Sequence, residues 1–93
     1  MPEWTFLTNH ALVLCFLDRH PQITALELSR EIGITERTTR KIIADLCAAE
    51  YIEKTKEGRR MRYHINSDLP LRHKTNRDTV VGKLLKALGR QNK

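Results

Sequence analysis

The side chains able to do chemistry fall in two short runs. The first, Thr35-Glu36-Arg37-Thr38-Thr39-Arg40-Lys41, carries three cations and one acid. The second, from Lys54 to His64, holds Lys54, Lys56, Arg59, Arg60 and Arg62 against the single acid Glu57. Guanidinium and ammonium groups in such clusters bind phosphate. Arginine can also address paired acceptors with its planar fork. Catalytic constellations are missing from the pattern. No nucleophile stands beside a base, no carboxylates pair, and no glycine-rich loop could cradle a phosphate; Asp18 with His20 reads as the polar end of a helix. The chain is therefore expected not to be an enzyme. His10, His20, His64 and His73 share no ligand spacing with one another or with Cys15 and Cys47, so neither a metal nor another cofactor is expected.

The charge balance agrees with that chemistry. Seventeen Lys and Arg against eleven Asp and Glu leave a net charge of +6. It is unevenly spread, at −2 over residues 1–34, +3 over 35–66 and +5 over 67–93. A polyanion contacted by the second half would explain the asymmetry, and a merely solvated surface is the alternative. Ninety-three residues with 40% hydrophobic content can build one domain with a modest core. Two lone cysteines among apolar neighbours read as small core residues in a reducing compartment. The apolar run from Ala11 to Leu17 is too short to span a bilayer. Glu3 precedes it and Asp18-Arg19 follow, so it does not read as a secretory leader either. A cytoplasmic, nucleoid-associated location is expected.

These clusters must be positioned by ordered elements, and the chain punctuates them clearly. Thr8 or Asn9 can cap a first helix that runs to about Arg19, ahead of Pro21. Ala11 to Leu17 is apolar all round, so more than one face of this helix needs a partner. Thr24 and Glu27 form a capping box, and Ile23 with Leu28 a hydrophobic staple, at the start of a second helix. Its stripe is Ala25, Leu28 and Ile32, and Gly33 closes it with a left-handed residue. Thr35 then caps a third helix to about Glu50, whose inner positions Thr39, Ile42, Ile43, Leu46 and Cys47 recur at three- and four-residue steps. Two short helices around a glycine-bearing turn make the helix-turn-helix pattern.

From Tyr51 to Asn66 the periodicity changes to that of strands. Met61, Tyr63 and Ile65 alternate with Arg60, Arg62 and His64. Gly58 supplies the positive φ of a tight hairpin turn. The expectation is a hairpin with an apolar inner and a basic outer face. Asp68 to Leu71 reads as a linker around Pro70. A last helix, beginning near Thr75–Asp78 and ending before Gly89, carries the stripe Val80, Val81, Leu84, Leu85 and Leu88. The predicted fold class is mainly α with a small β-hairpin, in two parts: residues 1–66, then a linker and C-terminal amphipathic helix over 67–93.

The run Glu27–Thr35, the stretch Thr38–Leu46 and then Tyr51-Ile52, followed by the basic hairpin, resemble the winged helix-turn-helix of MarR- and ArsR-like transcriptional regulators, while the hairpin Gly58–Tyr63 and the following Leu69–His73 are similar to a group of short regulators carrying little beyond this domain. The resemblance covers roughly residues 8–66. Two positions depart from it: Thr39 stands where these families usually place an aliphatic residue, and Glu50 where a glycine commonly ends the recognition helix. The resemblance implies a sequence-specific regulator bound to double-stranded DNA. It also implies a homodimer through Val80, Val81, Leu84, Leu85, Leu88 and the first helix, with an inverted-repeat operator. Docking of the last helix within its own chain is the alternative.

On that reading the third helix enters the major groove, whose base edges are distinguishable. Arg37 and Arg40 are assigned to bases, Lys41 to phosphate, and Thr38 to either. Thr35 caps the helix beside free N–H groups suited to a phosphate. Glu36 could accept from cytosine, although a favourable charge at the helix start explains it as well. At the hairpin tip Lys56, Arg59 and Arg60 would probe the minor groove, with Lys54 and Arg62 on the backbone. Rival readings of the same fold are a protein-interaction module and an RNA-binding module.

Overall fold

A computed structural model describes residues 7–72 and 78–88. His73 and Thr75 lie outside the described residues. Among the described residues six elements follow in order: α1 (Asn9–Arg19), α2 (Ala25–Ile32), α3 (Glu36–Ala48), β1 (Ile52–Glu57), β2 (Arg60–Ile65) and α4 (Val81–Ala87).

The helix starts are set locally. Thr8 Oγ1 accepts from Ala11 N at 3.2 Å. At α2, Thr24 Oγ1 accepts from Glu27 N at 3.1 Å and Glu27 Oε1 accepts from Thr24 N at 2.9 Å, a complete capping box. Gly33, at φ 86°, ends α2, and the Gly33 and Ile34 amides both donate to the Ser29 carbonyl. This corner turns the chain from α2 into α3.

One core receives all the helices and the root of the hairpin. Val13, Leu14 and Leu17 of α1 meet Leu28 of α2, Ile42, Ile43 and Leu46 of α3, and Tyr51 and Ile52. Leu17 and Leu28 are wholly buried, worth about 1.5–3 kcal/mol each. Thr39 is also fully buried. Its hydroxyl donates to the Thr35 carbonyl at 3.0 Å, so the polar atom is satisfied within its own helix while the methyl packs. Cys15 and Cys47 are half-buried against this core. Burial pushes the Cys15 thiol up, and Arg19 opposes the shift.

α3 stops two residues earlier than its periodicity predicts. Ala49 caps it, and Glu50 takes the left-handed conformation at φ 67° that a glycine would hold easily. The turn is locked by Tyr51 N donating to the Leu46 carbonyl and Asn66 Nδ2 to the Glu50 carbonyl. It directs the chain into β1.

β1 and β2 pair antiparallel from Ile52↔Ile65 to Glu57↔Arg60, leaving a two-residue loop, Gly58-Arg59, with Gly58 at φ 62°. The root is fixed by Tyr63 N donating to the Pro21 carbonyl and Asn66 N to that of Tyr51. The expected apolar face holds only there. Tyr63 and Ile65 pack on the core, but Met61 is 40% exposed because the hairpin has by then projected past the body.

The C-terminal helix begins later than predicted, at Val81. Val80 is extended and bridges Pro70, Leu71 N donates to the Thr79 carbonyl, and Val81 N to that of Leu69. Backbone groups that a longer helix would use internally are thus spent on the predicted linker. The Tyr51 hydroxyl ties down the same segment by donating to the Pro70 carbonyl. Val81 and Leu85 are buried in the chain's own core, and Arg19 donates to the Leu88 carbonyl at the helix end. Two of the five residues expected at a dimer junction are therefore used within one chain. Val81 and Leu85 join the same core cluster as Val13, Leu14 and Leu17 of α1.

Candidate nucleic-acid interface

α3 is oriented by its four buried positions, Thr39, Ile42, Ile43 and Leu46. At 100° per residue, Arg37, Lys41 and Ala44 point directly away from them. All three are exposed. Arg40 lies to one side of this line and Thr38 with Asp45 to the other. Thr35 caps the helix: its hydroxyl accepts from Thr38 N at 3.1 Å and donates to Thr38 Oγ1 at 2.9 Å. Thr38 keeps its own O–H to offer.

The cations on this helix differ in what engages them. Arg40 is paired with Glu36 one turn back. Lys41 Nζ sits 3.5 Å from Asp45 Oδ1, and Asp45 Oδ2 is 2.9 Å from His10 Nε2 on α1. The hydrogen bond from His10, more than the Lys41 ammonium, holds the Asp45 carboxyl below its usual range. Arg37 has no partner among the described residues. Exposed pairs of this kind contribute about 0–1 kcal/mol, so Lys41, with its single 3.5 Å contact, can exchange carboxylate for another acceptor cheaply.

The hairpin divides its charges between two faces. Side chains of paired residues share a face. Lys54 opposite Tyr63 and Lys56 opposite Met61 therefore lie on one side, and Thr55–Arg62 and Glu57–Arg60 on the other. The first side is continuous with α3. Burial pushes the Tyr63 phenol up, with Cys47 adding to the shift and Arg40 opposing it. Lys54, Lys56 and Arg59 are exposed and, among the described residues, unpaired.

Arg60 and Arg62 are turned toward the α1–α2 loop instead. Arg60 Nη1 donates to the Gln22 carbonyl at 3.0 Å and lies 4.0 Å from Glu27 Oε1. Gln22 Nε2 donates to Glu57 Oε1 at 2.9 Å, and that same oxygen is 4.0 Å from Arg62 Nη1. The Glu27 carboxyl is held below its usual range chiefly by the Thr24 amide, with a smaller contribution from Arg60. These contacts clasp the hairpin to the loop before α2. Sequence reading missed Gln22, His10 and Asp45; pairs 35 residues apart leave no local signal.

Three helices, a glycine corner between the second and third, and a basic hairpin after the third define a winged helix-turn-helix. Residues 8–53 match the family model described as winged helix-turn-helix DNA-binding. Over that segment, from the cap of α1 to the first residues of the wing, the chain is similar to winged helix-turn-helix DNA-binding domains. No curated protein matches the chain. Among the described residues no group of three His, Cys, Asp or Glu side chains could hold a metal, and no helix is long and apolar enough to cross a membrane.

Proposed function

We propose that the chain is a sequence-specific transcriptional regulator that binds double-stranded DNA as a homodimer, with α3 in the major groove and the β1–β2 wing against the adjacent minor groove and backbone. One observation carries this reading. Arg37, Lys54, Lys56 and Arg59 are exposed on α3 and on the wing, and among the described residues no contact pairs them. Arg37 and Arg40 are assigned to base edges, and Lys41, Thr38 and the N–H groups beside Thr35 to phosphates. Ala44 continues the outward line and offers a small apolar surface to a thymine methyl. Lys56 and Arg59 reach the minor groove and Lys54 the backbone, whereas Arg60 and Arg62 reach DNA only after leaving the Gln22–Glu27–Glu57 clasp.

The resemblance to MarR- and ArsR-like regulators supports a two-fold dimer. With Val81 and Leu85 used internally, a second copy is left with Val80, Leu84 and Leu88. It also meets a groove of about 590 Å³ lined by Ala11, Leu14, Tyr51, Leu71 and Leu84. The test is electrophoretic retardation of duplex DNA, single-stranded DNA and RNA over a salt series. Duplex should be retained best and released steeply by salt. Arg37→Ala should relax preference at one base-pair position. Retention of RNA over duplex, or no retention at all, would refute the proposal in favour of an RNA-binding or protein-interaction module.

A further inference from the structure

We infer that Glu36 reads no base itself but is a positioning residue, holding the Arg40 guanidinium so that its end presents two parallel donors to a guanine. The inference rests on the DNA-binding reading above and deepens it at one pair of side chains.

Glu36 Oε2 accepts from Arg40 Nε at 3.1 Å and also from Nη2. A carboxylate on the Nε–Nη2 edge leaves the Nη1–Nη2 edge with its donors free. That edge still carries two parallel N–H groups, a pair that can match guanine O6 and N7. The side chains are also graded in exposure, Arg40 at 68% and Glu36 at 38%. Glu36 thus backs the arginine from the protein side, and by helical geometry it lies further round toward the buried face than Arg40 does. Without such a backing, a long side chain is ordered only on binding, at an entropic penalty.

Charge reaches the same conclusion independently. An unpaired carboxylate facing DNA is repelled by the phosphates. Paired with Arg40 it is neutralised, and the unit as a whole carries no net charge. Arg40 alone removed would leave Glu36 bare against the polyanion. This makes the two residues non-additive in a direction that independent base contacts could not produce.

The test selects bound sites from a random duplex library and then measures anisotropy with the selected site and its single-pair variants. The proteins are wild type, Arg40→Ala, Glu36→Ala, Glu36→Gln and the double alanine variant. Wild type should prefer guanine about 5- to 150-fold at one base pair. Arg40→Ala should abolish that preference. Glu36→Ala should weaken it at the same pair by about 2- to 12-fold, the penalty of ordering one long side chain, and Glu36→Gln, which keeps an acceptor, should retain most of it. The double variant should be no less selective than Arg40→Ala and should bind random duplex more tightly than it does. The inference is overturned if Glu36→Ala acts at a different base pair or has no effect, if the two losses multiply, or if Arg40→Ala leaves every preference intact. A wild-type protein without duplex binding or sequence preference would instead refute the reading beneath it, before any variant is compared.

Discussion

Glu50 stores strain that a single substitution should release. It occupies φ 67° immediately after the Ala49 cap of α3, in a conformation that places an L-residue's Cβ against its own carbonyl. The penalty is about 1–2 kcal/mol. Glycine removes it, while the extra freedom glycine gives the unfolded chain takes back about 0.4–1 kcal/mol. Among the described residues no side-chain hydrogen bond is sacrificed, because those at this residue run through its backbone, to Cys47 and from Asn66. On mid-range values Glu50→Gly should therefore gain about 0.8 kcal/mol, which raises the melting temperature by about 3–6 °C in a domain of this size. Thermal denaturation followed by circular dichroism measures it. Glu50→Ala is the control, since it deletes the same carboxylate but keeps the Cβ, and it should melt close to wild type. If glycine fails to stabilise, or if alanine stabilises equally, the strain account is wrong and the charge is responsible.

Three further outcomes follow from the same geometry. Leu85→Ala, opening a cavity under α4, should cost about 2–5 kcal/mol of stability, whereas Leu84→Glu, at the groove edge, should leave folding intact and shift sedimentation from dimer to monomer. Lys54→Ala should reduce the slope of log affinity against log salt by about 0.9; Arg60→Ala, whose guanidinium is engaged by Gln22 and Glu27, should leave that slope unchanged and lower the melting temperature of the free protein. Glu27 and Asp45 both have carboxyls held below their usual range. The folded state therefore binds protons less readily than the unfolded chain, and stability present at neutral pH is lost as acidification passes through their folded pKa values. Glu27→Gln should flatten that decline in a series of melts between neutral and acid pH.

What could be read from the sequence was what is decided locally. Thr8, Thr24 with Glu27, Gly33 and Thr35 mark helix ends through contacts spanning three to five residues, and each sits where its chemistry requires. The hairpin loop at Gly58 was legible for the same reason. Long-range contacts decided the remainder. Alternation in β2 cannot reveal how far a hairpin extends past the body, so Met61 was assigned to a face that ends at Tyr63. The stripe of α4 showed an apolar face but not that Pro70 and Val80 would bridge and delay its start. Arg60 and Arg62 look like any other wing arginines until Gln22 and Glu57 are placed beside them. Glu50 was visible as a departure, although its helix-forming character pointed to a longer α3 rather than to a left-handed residue.

The shared use of α3 and the wing on one duplex is tested most directly by hydroxyl-radical footprinting of a selected site. Wild type should protect backbone on both sides of one major groove and a patch across the neighbouring minor groove. Lys56→Ala with Arg59→Ala should erase the minor-groove patch alone, and Arg37→Ala should leave that patch in place. A footprint confined to one groove, or one that the paired wing substitutions leave unchanged, would contradict the account.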